Sequence, residues 1–367
     1  MSVHVFVNDN VPFGARGMDR YFRHVTHGII DHFQGNTIIF SSRDGDYAPA
    51  RYLRPLRFKG SEQFGLHDFL ANRAIRATQP QLVFSAWFNR LRTSVPQVFV
   101  VYDMIYEKFP AYHSRCQTPL RDLARERRLA LERAERVIVI SHSAARDVLE
   151  IYPRLAPAKL TVVHLGVDEG FFYTDEQPTA QPTRPYLLFV GFRSGHKNFM
   201  RLLDAFGQSA LADELDLRVI SALPFTPDEL KLIQKHDIES AVIWMGRQSD
   251  ADLRTAYHQA LALVYPSEYE GFGLPILEAF AAGTLVTTSN ISSMPEIGAD
   301  VAFYFDPYAV DSIVASLHKL ARLPASERTV RIAQGIKHAR EFTWSRCESQ
   351  TVQLLESILE RRSPIAA

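Results

Sequence analysis

Cysteine is almost absent from this sequence: there are 2 among 367 residues, Cys116 and Cys347, one in each half. That excludes a disulfide framework and fits a reducing compartment. An excess of charge of one sign is absent too. The 41 Lys and Arg residues balance 41 Asp and Glu, so no bulk field draws the chain to nucleic acid and only local basic patches remain. No apolar run reaches the length of a membrane-spanning helix; the longest, such as residues 98–102, are strand-sized. The opening residues MSVHVFVNDN lack the basic segment followed by an apolar one that marks a secretory leader. Together these absences predict a cytoplasmic protein with no spanning helix.

What is present is a globular balance of 46% hydrophobic and 22% charged residues, over a length that calls for two domains. Short β-branched and aromatic runs at 3–7, 36–40, 82–85, 98–102, 137–140 and 160–164 read as strands, with helical spacing at 120–134 and 143–151. That alternation predicts a parallel sheet covered by helices. Residues 168–185, DEGFFYTDEQPTAQPTRP, break the pattern and read as a linker. A second series follows, with strands at 186–191, 217–220, 242–245, 263–265 and 285–288. Helices are expected between them and at 309–323, and an amphipathic helix at 343–361. Two doubly wound domains are therefore expected, 1–167 and 186–342, facing a central cleft. Ligands of such sheets sit beyond the carboxyl ends of the strands, which singles out the loops after Val7, Tyr102, Gly191, Met245 and Tyr265.

The most informative segment is YPSEYEGFGLPILEAFAAG, residues 265–283. A strand gives way to a loop with Gly271 and Gly273, and Pro275 suits the first turn of the helix that follows. Glycines let backbone N–H groups approach an anion, and the new helix adds its positive end, a combination that suits a diphosphate. Glu270 flanks the loop and Glu278 lies one turn into the helix. Carboxylates there are acceptors for ribose or sugar hydroxyls, or else surface glutamates on an ordinary strand–turn–helix.

Read as a whole, the EGFGLPILEAFAAG segment, with Glu270 and Glu278 eight residues apart, resembles the signature of glycosyltransferase family 4, retaining enzymes with two Rossmann-like domains in the GT-B fold. ARGMDRYF (15–22), VVYDMIYEKFP (100–110), RAERVIVISHSAARDVL (133–149), VVHLGVD (162–168), VGFRSGHKN (190–198) and SMPEIGADVAFYFDP (293–307) are similar to further segments of that family in the same order. The resemblance implies that the second domain binds a nucleotide sugar. Arg193 and Lys197 would hold its diphosphate, and Glu278 its ribose. Glu270 would lie near the sugar, with Gly271, Phe272, Gly273 and Leu274 supplying backbone donors and Gly246 and Arg247 near the base. In the first domain Gly17 would let the first loop close, assisted by Gly14, although Asp19 stands where the family often has a second glycine. Asp103 would orient the acceptor hydroxyl or simply cap a turn; the family's preceding histidine is Tyr102 here. The final helix, 343–367, would cross back onto the first domain.

The implied activity is transfer of a hexose, mannose from GDP-mannose first, to a glycan or lipid-linked glycan in surface polysaccharide synthesis. The nucleotide sugar is then a substrate and no separate cofactor is expected. Two alternatives stay open: a nucleotide-sugar epimerase of the same fold, and an inactive nucleotide-sugar-binding subunit. No metal is expected, because Asp44-Gly45-Asp46 reads as a turn and His24 with His27 lacks further ligands at metal spacing. The basic, aromatic-interleaved stretch Arg51, Arg54, Arg57 and Lys59 could rest on anionic headgroups at the inner face of the plasma membrane or form a solvated edge. The arginines of 121–136 alternate with acids and read as a solvated helix face.

Overall fold

The computed structural model describes residues 4–9, 16–41, 47–55, 64–89, 91–110, 120–172, 182–193 and 195–362. The chain divides into two compact units, Met1–Gly166 with Trp344–Ala367, and Val167–Thr343. The expected pair of Rossmann-like sheets is present, one in each unit.

The first sheet contains β1 (Val5–Asn8), β2 (Thr37–Phe40), β3 (Arg51–Leu53), β4 (Leu82–Ser85), β5 (Gln97–Val101), β6 (Arg136–Val139) and β7 (Leu160–Val162). Their order is β3-β2-β1-β4-β5-β6-β7, and every pairing is parallel. Strands VFVN, TIIF, LVFS and QVFVV are buried throughout. Helices on both faces of a parallel sheet demand this continuous apolar character in place of alternation. The helices of this unit before the linker are α1 (Arg16–Phe33), α2 (Phe64–Thr78), α3 (Ile105–Lys108), α4 (Leu120–Arg133) and α5 (His142–Ile151). Ser141 starts α5 by accepting the Ala144 N–H at 2.9 Å.

The second sheet contains β8 (Tyr186–Val190), β9 (Asp216–Ile220), β10 (Val242–Gly246), β11 (Ala262–Tyr265), β12 (Leu285–Ser289) and β13 (Phe303–Phe305), ordered β10-β9-β8-β11-β12-β13 and parallel throughout. Its helices are α6 (Phe199–Gln208), α7 (Pro227–Lys235), α8 (Asp250–Gln259), α9 (Leu274–Ala281), α10 (Met294–Gly298), α11 (Val310–Ala321) and α12 (Ala325–Ala339). Phe199, Leu202, Leu203 and Phe206 of α6 join Leu187, Phe189, Leu217 and Val219 of the sheet in one core. Helix α7 opens with Pro227 behind a capping box, in which Thr226 and Glu229 satisfy each other's backbone N–H groups. Each sheet reverses its strand order once, between β1 and β4 and between β8 and β11. Such switch points leave a crevice at the carboxyl ends of the strands.

The last helix, α13 (Trp344–Arg362), belongs to the first unit and packs on α1. The His24 ring stacks on Trp344 at 4.5 Å, and Glu348 and Glu356 reach His24 and His32, each at 3.3 Å. A Cβ on Gly28 of α1 would stand 2.9 Å from the Glu348 Cβ, so the two helices touch closely there. His24, half of the His24/His27 pair weighed for a metal, is thus a packing residue.

Some elements depart from the expected pattern. Arg51–Leu53, the start of the basic stretch, is an edge strand paired with β2, with Arg51 and Tyr52 exposed. Arg57 and Lys59 lie outside the described residues, as do Asp44, Asp46, Gly14 and Cys116. Residues 16–22, expected as a loop, form the first turns of α1. Within the expected linker, Glu169–Phe171 is a 3₁₀ turn whose Phe171 is buried and meets the Tyr257 ring at 6.0 Å.

Candidate active site

The two loops that flank the β8/β11 switch point carry most of the residues singled out above. After β8, Gly191 turns the chain at φ +130°, and a 3₁₀ turn Gly195–Lys197 leads into α6. After β11, the loop ends at Gly273, whose φ of +114° is the left-handed conformation that glycine adopts without strain. The loops are tied to each other: Glu268 N–H donates to the His196 carbonyl at 2.7 Å, and Asn198 Nδ2 donates to the Pro266 and Pro307 carbonyls at 3.0 and 2.8 Å.

That tie brings Lys197 and Glu270 together. Lys197 Nζ lies 2.5 Å from Glu270 Oε1 and 3.4 Å from the Tyr265 hydroxyl. Burial acts to raise the Glu270 carboxyl, but Lys197 and His196 outweigh it and hold the group below the ordinary carboxylate range. Burial and then the Glu270 charge push the Tyr265 phenol up. The Glu270 backbone is clamped by the β12–α10 turn. Ser292 Oγ accepts its N–H at 3.1 Å and stands 2.7 Å from its carbonyl oxygen, and Ser293 Oγ lies 3.0 and 2.6 Å from the carbonyl oxygens of Glu270 and Phe272. Phe272 is buried and meets the Phe342 ring at 6.2 Å. Gly271, Gly273 and Leu274 lead directly into α9, with Pro275 in its first turn. Glu278, buried one turn further along, accepts a hydrogen bond from the Tyr257 hydroxyl at 3.0 Å. Gly246 ends β10, and Arg247 after it is exposed.

Arg193 is placed differently. Its Nε and Nη2 donate to the two carboxylate oxygens of Glu229 at 2.9 and 3.1 Å, and Nη1 and Nη2 donate to the Leu223 and Pro224 carbonyls at 2.7 and 2.5 Å. Four of the five guanidinium N–H groups are thereby used. The group is buried and lies 5.1 Å from the Phe225 ring centroid. The resemblance implies that Arg193 and Lys197 together hold the diphosphate; in the structure Arg193 fastens the loop after β8 to the start of α7 and is turned to Glu229. Its partner Glu229 lies 36 residues away in sequence, with no local signal linking the two.

In the first unit, Asp103 follows β5 and accepts the Ile105 N–H on Oδ1 at 3.1 Å, while its carbonyl accepts Arg127 Nη1 at 2.7 Å. It caps the turn into α3, and among the described residues its Oδ2 has no hydrogen-bond donor. Tyr102 is buried edge-on against Tyr21 at 5.6 Å. Gly17 lies in the first turn of α1. Sequence reasoning missed a polar cluster at the β1/β4 switch point. Ser41 donates to Asp9 at 2.5 Å, His67 Nε2 meets Asn8 Oδ1 at 2.8 Å, and Asn8 and Asn89 both donate to Ser85 Oγ. Burial pushes the His67 ring down to about 4, so it is neutral and donates through Nε2. The available signal was Asn8-Asp9 directly after an apolar strand, a polar pair where a doubly wound sheet opens its crevice.

Residues 15–171 match the family model described as Glycosyltransferase Family 4, and residues 173–338 match Glycosyl transferases group 1. The chain belongs to these glycosyltransferases. The O-antigen chain mannosyltransferase B of Escherichia coli is 36% identical to this glycosyltransferase over 173 residues, which is 46% of the chain and 44% of that protein. The MMP alpha-(1->4)-mannosyltransferase of Mycolicibacterium hassiacum is 29% identical over 230 residues, 61% of the chain and 54% of that protein. The chain thus spans about half the length of these two curated relatives. Among solved structures, sucrose-phosphate synthase from Thermosynechococcus elongatus superposes with a TM-score of 0.76 at 18% identity, covering 98% of this glycosyltransferase and 100% of that chain. Anabaena HepE in complex with UDP and glucose superposes with a TM-score of 0.70 at 15% identity, over 97% and 100%. These likenesses show that the glycosyltransferase has the GT-B fold.

Proposed function

We propose that this glycosyltransferase moves a hexosyl group, mannose first, from a nucleoside diphosphate sugar to a hydroxyl of a glycan or lipid-linked glycan in surface polysaccharide synthesis, with retention at the anomeric carbon and without a metal ion. The observation that carries the reading is the Lys197–Glu270 pair, held by loops on both sides of the β8/β11 switch point beside the start of α9. A cation and a helix N-terminus at one place favour the charge that grows on a departing diphosphate. The mannosyltransferase relatives favour mannose, and GDP-mannose is the donor to test first.

In this reading Lys197 leaves part of its charge with Glu270 until the donor arrives, and then serves the diphosphate. Glu278, steadied by Tyr257, accepts a ribose hydroxyl. The acceptor hydroxyl attacks the anomeric carbon on the face from which the diphosphate leaves. The bond from that carbon to the diphosphate oxygen breaks, and the acceptor proton passes to the departing diphosphate. Asp103 Oδ2 orients the acceptor, and Arg193 acts only by holding the loop that bears Lys197. A working site on the cytoplasmic face of the plasma membrane follows from a lipid-linked acceptor; no helix among the described residues is long and apolar enough to cross a membrane.

The test incubates the protein with GDP-mannose or UDP-glucose and a panel of glycan acceptors, with and without a strong chelator. Proton NMR then reads the new linkage. Retained configuration with chelator-resistant turnover is expected. An inverted centre, or turnover restored only by manganese or magnesium, refutes the mechanism.

A further inference from the structure

The amino ends of β8, β11 and β12, at the opposite end of the second sheet from Lys197 and Glu270, border an open cavity of about 770 Å³. Its walls include Pro185, Gln259, Gly283, Arg328, Ile332 and Ile336. None of these residues belongs to the proposed transfer site.

Arg328 is the unusual member. Nη1 reaches the Leu261 carbonyl and Nη2 the Leu320 carbonyl, both at a long 3.3 Å. Among the described residues no carboxylate pairs with it. Three other partly or fully buried arginines of the same unit do have one, Arg193 with Glu229, Arg201 with Glu268 and Arg331 with Glu327, while the partly buried Arg254 has none among the described residues. Arg328 also sits in the first turn of α12, where the helix dipole is positive and a cation is least welcome. Burial alone holds the guanidinium below its ordinary range. A half-buried cation with weak carbonyl partners, facing an open cavity, carries an uncompensated charge.

We propose that this cavity is a second ligand site that takes a small organic oxyanion, with Arg328 gripping the charged group and the uncharged body lying against Pro185, Ile332 and Ile336. The guanidinium fork matches a carboxylate or a phosphate with two parallel N–H donors. Ile332 and Ile336 come within 3.6 and 3.8 Å of a Cβ built on Gly283, so they close one wall of the cavity. The Gln259 amide lines the same space and suits a hydroxyl or carbonyl on the ligand body.

The full chain is first saturated with nucleoside diphosphate to fill the transfer site. Inorganic phosphate, glycerol phosphate and succinate are then each titrated to millimolar concentration by calorimetry. Saturable binding of at least one probe is expected, and the phosphate and succinate arms tell which oxyanion the site prefers. Arg328→Gln should weaken that binding by about tenfold or more, the loss of a charged hydrogen bond. Its unliganded stability should stay equal or rise, because an unpaired buried charge has been removed. Ile332→Glu, one helical turn from Arg328, provides a second variant that supplies the missing carboxylate. It should abolish probe binding. The proposal is overturned if no probe binds saturably, if binding is unchanged in Arg328→Gln, or if a probe binds only when nucleoside diphosphate is left out.

Discussion

Replacing Arg193 by methionine separates the two roles open to this side chain. In the structure its guanidinium is buried against Glu229, with both side chains about 5% exposed. Removing one partner of such a pair leaves the other charge buried without compensation, at a cost of about 3–5 kcal/mol. Glu229 keeps one donor, the Thr226 N–H at 2.6 Å, so the lower end, about 3 kcal/mol, is expected for Arg193→Met. Against a whole-domain stability of roughly 5–15 kcal/mol that is a large loss. It should appear in urea unfolding of the second unit and as faster hydrogen exchange at the start of α7. A double variant, Arg193→Met with Glu229→Gln, should recover part of the loss, because the orphaned charge is gone. Nucleoside diphosphate affinity should change little in the folded fraction. If Arg193→Met unfolds like the parent yet turns over about 10²–10³-fold more slowly, as for a lost oxyanion donor, the side chain touches the diphosphate and the positional argument fails.

Lys197→Ala should leave the second unit folded, since the Lys197 and Glu270 side chains retain 17% and 13% exposure; turnover should fall by about 10²–10³, and an unchanged rate in steady-state assays removes Lys197 from the mechanism. Glu278→Gln should weaken nucleoside diphosphate binding by about 1.5–3 kcal/mol, one charged hydrogen bond, while the Tyr257 contact survives on the amide oxygen; calorimetry that finds equal affinity rejects the ribose role. His67, held down to about 4 in the folded chain, binds its proton near 6.5 when unfolded. Between those values the unfolded state takes up more protons, so the first unit should lose stability as pH falls from about 6.5 to about 4. His67→Gln should flatten that part of the pH profile in thermal melts, and an unaltered slope assigns it to other groups.

Most strands were legible because burial on both faces forces unbroken apolar runs such as QVFVV and YLLFV. The two strands missed, β3 and β13, are three residues long at sheet edges, and RYL carries its charge into solvent. Helix α12 was hidden for another reason. Its buried positions are Gly335 and Ala339, and a Cβ on Gly335 would come within 2.8 Å of Phe280, so small size and not hydrophobicity marks its contact face. In the site, the Lys197 and Glu270 loops were readable because each follows a strand end and carries its own glycines. The fate of Arg193 was not, because a charge in sequence does not name its partner. The serine clamp on Glu270 was hidden likewise, since Ser292 and Ser293 act on backbone atoms 22 and 23 residues away.

The docking of α13 on α1 sets an order on how the protein is made. A ribosome delivers Met1–Gly166 first, then all of Val167–Thr343, and only afterwards Trp344. The surface that receives the Trp344 ring and the Leu355 and Ile358 side chains therefore stays uncovered while 178 further residues are translated, the difference between 344 and 166. At about 5–20 residues per second that interval is roughly 10–35 s. For that time the nascent first unit shows the cell an apolar strip, open to chaperones and to neighbouring chains on the same message, although most of it is synthesised before the second unit.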